Sequence, residues 1–174
     1  MQPLIQTVDV IMERIPLQSR WASERWQPRA VEVAAPDARL VCHANTIPGQ
    51  NVCVGDGENR WRCRGFDIEL HPTEAEGYFL NITAPDPRIF VMYRMFDDGA
   101  MPVARPVIVT VSYNQAGRYM DGGEQVDGVP MVPAIADWMR PFIALHYKPE
   151  PRRKVKRNDP VADEVAARER DRRP

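Results

Sequence analysis

Between residues 61 and 113 the chain is a succession of short apolar or alternating runs, each closed by a turn signal. Residues 61–71 (WRCRGFDIELH) alternate apolar and polar side chains. A period of two sends successive side chains to opposite faces, so such a run folds as a half-buried strand. Residues 78–84 (YFLNITA) and 88–96 (RIFVMYRMF) are apolar and read as two more strands, joined by the turn Ala84-Pro85-Asp86-Pro87. Asp98-Gly99 turns the chain again. Residues 103–113 (VARPVIVTVSY) form the next strand, and Pro106 assigns it an edge position or a bulge. Three or more adjacent strands sharing an apolar face hold together without help.

The flanks extend this pattern. Residues 5–15 alternate with an irregularity at Ile11, and Pro16 ends the strand. Residues 17–26 (LQSRWASERW) read as a turn or one to two turns of helix, and residues 29–34 as a second strand. Residues 35–60 lack periodicity and read as a long loop with a short strand near 40–43. Residues 73–76 and 115–120 read as helical turns, and the glycine-rich acidic stretch 121–130 (DGGEQVDGVP) as a loop. In residues 132–147, Ile135, Trp138, Met139, Phe142 and Leu145 recur at helical spacing, with Pro133 in the first turn and Pro141 as a kink. The expected fold is mainly β (α+β): a small antiparallel β-barrel or sandwich of six to seven strands with one C-terminal helix. The globular domain is expected over residues 1–148, and a charged disordered tail over 149–174.

The formal net charge of −1 conceals a split. Residues 1–147 carry 13 basic and 18 acidic side chains, whereas residues 148–174 carry 10 and 6. A cationic tail on an anionic body suits folding back, reaching a partner or keeping the chain soluble. No apolar run approaches the ~20 residues of a membrane-spanning helix. The N-terminus lacks a cationic leader and a continuous apolar core, which points to a cytoplasmic protein. Three cysteines, Cys42, Cys53 and Cys63, are then expected as free thiols.

Residues with catalytic potential do not assemble into a known pattern. The cysteine spacings, even with His43 or His71, match no zinc finger or ribbon, so no metal is expected. Ser19, Ser23 and Ser112 lack a nucleophile-elbow context, and the chain holds no P-loop and no dinucleotide fingerprint. Neither a catalytic residue nor a cofactor is expected. Three segments carry the signature of contact surfaces instead. Arg14, Arg20, Trp21, Arg25 and Trp26 crowd one corner, where two tryptophans five apart can place one ring on the core and one on the surface. That corner reads either as a structural pin or as a protein-binding patch. Asp121, Glu124 and Asp127 lie in the acidic stretch, whose glycines let a bound surface approach the backbone. Arg152, Arg153, Lys154, Lys156 and Arg157 form a cationic run without interleaved aromatic residues, which argues against specific nucleic-acid binding.

Taken together, VIMERIPLQSRWASERWQP, ELHPTEAEGYFLNITAPDPRIFVMYRM, VTVSYNQAGRYMDGGEQVDGVPM and YKPEPRRKVKRNDP resemble a bacterial domain family of unknown function. Its members look like short cytoplasmic proteins encoded beside respiratory formate dehydrogenase and molybdenum-cofactor genes. The resemblance runs from about residue 5 to 160. It implies a non-enzymatic accessory factor that contacts a formate dehydrogenase subunit or another maturation protein. Two other roles stay open: a molybdopterin-handling protein using arginines such as Arg14, Arg20 and Arg94, or a ligand-sensing regulatory module. Oligomeric state is not fixed by the sequence.

Overall fold

A computed structural model describes residues 4–35 and 53–149. The expected strand near 40–43, Cys42, His43 and the cationic run from Arg152 to Arg157 lie outside the described residues. The chain forms β1 (Leu4–Pro16), β2 (Glu24–Val33), β3 (Cys53–Gly55) and β4 (Arg60–Leu70). A 3₁₀ turn (Pro72–Glu74) leads into α1 (Ala75–Ile82) and β5 (Arg88–Met95). Then come β6 (Ala104–Thr110), α2 (Tyr113–Asp121), β7 (Gln125–Pro130) and α3 (Pro133–His146).

Two antiparallel sheets result, ordered β2-β1-β4-β3 and β6-β5-β7. β2 lies beside β7 and β4 beside β6, yet among the described residues no strand pairing crosses either seam. The architecture is therefore mainly β with two sheets, and the barrel is not closed. Apolar faces of both sheets meet in one core that includes Val10, Met12, Ile68, Ile89, Val91 and Val109. α3 contributes Ile135, Met139, Phe142 and Ile143 to that core, and α1 contributes Tyr78.

Irregularities in the ladders follow from particular residues. Pairing of β1 with β4 slips between Val8 and Val10, where Gly65 adopts φ 81°. A left-handed glycine admits the extra residue of a bulge. The same bulge aims Gly65 N–H at buried Asp9 Oδ1 (3.3 Å), whose other oxygen lies 3.6 Å from Arg62. β1 and β2 slip between Ile11 and Met12, the position where the alternation is irregular. Pro106 sits in β6, an edge strand whose register shifts beside it, so the missing donor disrupts no inner ladder.

Four expectations are corrected. Residues 78–84 are not a strand, because α1 occupies Ala75–Ile82. Ala75, Tyr78 and Asn81 are buried at helical spacing while Leu80 points outward, a pattern that an apolar run conceals. Residues 17–23 follow the turn reading and contain no helix, and the second strand, expected from residue 29, begins at Glu24 and already includes Trp26. The acidic stretch is a loop only up to Glu124, because β7 pairs with β5 from Gln125 onward. The C-terminal helix is joined by two others, and Leu145, assigned to its inner face, is largely exposed.

Cys53 and Cys63 are not free thiols. They face each other across the β3–β4 register with Cα atoms 4.0 Å apart and form a disulfide. Directly opposed residues on antiparallel strands bring their side chains together, a proximity that sequence spacing does not reveal.

Where α1 meets β5, β6 and α2, polar groups are buried and partnered. Asn81 donates from Nδ2 to the carbonyls of Arg88 (2.6 Å) and Val111 (2.8 Å) and accepts from Arg88 N–H (2.9 Å). Ser112 caps α2 by accepting from Gln115 N–H, and its hydroxyl donates to Glu74 (2.6 Å). Gly77 lets α1 approach this cap: a Cβ there would stand 2.3 Å from Ser112 Oγ.

Candidate functional site

The loop between β1 and β2 is short and closed by a hydrogen bond from Leu17 N–H to the Ser23 carbonyl (2.9 Å). Trp21 projects from it and is 95% exposed, whereas Trp26, on β2, is 5% exposed. The two rings thus divide between surface and core, as their spacing allows. Trp26 packs against Trp61 with centroids 5.1 Å apart, and its Nε1–H donates to Glu24 (2.9 Å). Arg14 is absorbed by the same corner. It donates to Asn59 Oδ1 through Nε and Nη2, lies 3.8 Å from Glu24 and stands over the Trp61 ring. Arg14 therefore fastens the corner, while Arg20 and Arg25 are exposed.

β5 joins this corner to the acidic stretch. Its register sets Tyr93 opposite Gln125 and Val91 opposite Asp127. Tyr93 then crosses the β2–β7 seam: its hydroxyl donates to Asp127 Oδ2 (2.8 Å) and lies 3.3 Å from the Trp26 carbonyl. Burial, followed by the hydrogen bond and charge of Asp127, pushes the phenol well above its usual range, and Arg25 partly opposes this. Arg94 binds Glu124, which holds that carboxyl below the usual range through the hydrogen bond first and the charge second. Asp121 ends α2 and is exposed.

An open cleft of about 410 Å³ lies between the two regions, lined by Leu17, Ala22, Glu24, Arg25, Trp26, Tyr93, Met95 and Gln125. A smaller, more polar depression of about 230 Å³ borders on Arg25 as well, with Gln27, Arg29, Asp127 and Gly128 among its walls. Two segments about a hundred residues apart in the chain therefore border one surface. Leu17 belongs to the corner segment itself, whereas Tyr93 and Met95 carry no signal in the sequence, because only the β5–β7 register shows that they reach it. Among the described residues no group of three or more His, Cys, Asp or Glu side chains is arranged to hold a metal ion. No helix among them is long and apolar enough to cross a membrane.

Fold and cleft together define a mainly β, two-sheet protein with an exposed aromatic corner above an open groove. The chain belongs to a family described as a protein of unknown function (DUF3305), whose model matches residues 7–156. No curated protein and no solved structure matches it.

Proposed function

We propose that this protein is a non-enzymatic accessory factor in the assembly of a molybdenum-dependent respiratory formate dehydrogenase, acting by contact with a dehydrogenase subunit or another maturation protein. The resemblance set out above supplies the dehydrogenase. The observation that supports a contact role is the 95% exposure of Trp21 beside a cleft with Leu17, Trp26, Tyr93 and Met95 in its walls. A large ring held in water gains stability when a partner covers it, and tryptophan and arginine dominate the energetics of interfaces. Two of the three arginines named for a cofactor-handling role are differently occupied: Arg14 is bound to Asn59, and Arg94 to Glu124, whereas Arg20 is exposed and, among the described residues, has no such partner.

Two measurements test the proposal. Deletion of the gene is expected to lower formate dehydrogenase activity, and unchanged activity and cofactor content would overturn the reading. Affinity-tagged full chain is expected to retain a dehydrogenase subunit or maturation protein, and the Trp21→Ala variant to lose it. Equal retention by both removes the corner from the interface.

A further inference from the structure

We propose that the cleft beneath the tryptophan corner receives an extended acidic segment of a partner protein. One large apolar side chain seats among Leu17, Trp26, Tyr93 and Met95, and neighbouring carboxylates meet Arg25 and Arg20. This rests on the contact role proposed above and adds the chemistry of the occupant.

Charge carries the argument. Around the cleft, Glu24 accepts from Trp26 Nε1 and faces Arg14; Arg94 and Glu124 hold each other; Asp127 accepts from Tyr93. Among the described residues Arg20 and Arg25 form no hydrogen bond and no ion pair, and both are exposed. Two uncommitted guanidinium groups therefore remain at this corner, on a body that is otherwise acidic. Guanidinium is the cation best shaped to take a carboxylate through two parallel hydrogen bonds. The same pair repels a basic segment.

Shape agrees with charge. Arg25 borders both the apolar cleft and the polar depression beside it, so it stands between an anchoring region and a hydrogen-bonding region. The cleft volume falls within the ~300–1,000 Å³ of sites that take a small group. However, the cleft is open to solvent and shares Arg25 with a second depression, which suits a side chain carried on a strand better than an enclosed small molecule. An extended peptide advances ~3.3 Å per residue with alternate side chains on one face. An apolar residue and an acid one or two positions away thus meet the cleft and Arg25 together.

The test pans a phage-displayed random decapeptide library against the immobilised full chain, against Trp21→Ala, and against the double variant Arg20→Glu plus Arg25→Glu. All three residues are exposed, so the variants are expected to melt with the wild type. Wild type should enrich sequences in which Asp or Glu adjoins Leu, Phe or Trp, and the charge-reversed variant should recover them at least ~10-fold less. Enrichment of basic or uncharged sequences, equal recovery on the double variant, or no enrichment overturns the proposal. So does binding of the wild type to phosphatidylglycerol vesicles with no peptide enriched, which would assign the patch to a membrane surface. Retention of the dehydrogenase by both wild type and double variant, with loss only in Trp21→Ala, overturns the acidic occupant and leaves the assembly role standing. Selection of acidic peptides without any effect of gene deletion on dehydrogenase activity does the reverse.

Discussion

At the junction of α1 with β5 and α2, Asn81 and Ser112 are almost wholly buried and every polar atom of their side chains has a partner. At the corner between β1 and β2, Trp21 stands in water, and among the described residues Arg20 and Arg25 have no hydrogen-bond or ion-pair partner. The junction hides polar groups and satisfies them, whereas the corner displays an apolar ring and a charge pair without satisfying either. Burying an unpaired polar group is costly, so the junction is built for stability. Exposing an indole gains nothing for folding, and under the contact role proposed above a partner covers it.

Substitutions in the two regions should separate these roles. The largest effect is expected from Trp26→Ala, which empties the buried floor of the corner and should cost about 3–5 kcal/mol in denaturant unfolding. A variant that melts like wild type would show that Trp26 belongs to the exposed half of the corner. Asn81→Ala should follow at about 3 kcal/mol, because two carbonyls and one N–H lose their partner out of reach of water. Gly77→Ala should destabilise by about 1–3 kcal/mol, against the usual gain of alanine in a helix. The reason is that Ser112 Oγ is held by Glu74 and Gln115 and has little room to retreat. A rise in melting temperature would mean that the α1–α2 contact is looser than its geometry. Trp21→Ala should leave stability within ~0.5 kcal/mol of wild type. A clear loss would give the ring a structural role and erase the contrast between the two regions.

Legibility of the fold in the sequence followed the physics of each element. β1, β4, β5 and β6 were readable because one face of each is buried and the other is not, or because both are buried. α1 was misread because its apolar run satisfies a strand and a helix equally. Asn81, which decides the matter, faces inward because the carbonyls of Arg88 and Val111 accept from its amide, and neither partner is legible from the run itself. β7 was misread because glycine and acidic residues speak for a loop, whereas the strand is held by its backbone register with β5. The Cys53–Cys63 bond shares that cause, since pairing across strands is a property of register and not of spacing. At the candidate site, the partition of Trp21 and Trp26 was foreseeable from their separation. The meeting of the corner with the acidic stretch was not, because β5 brings them together from the far side of the chain.

The Tyr93 phenol has a mechanical consequence. Its oxygen touches Asp127 on β7 and the Trp26 carbonyl on β2, at a border where, among the described residues, no strand pairing joins the two sheets. The phenol works there as a latch. Prying the groove wider would part these two contacts and the apolar packing of Trp26, Tyr93 and Val129, while both ladders stay zipped.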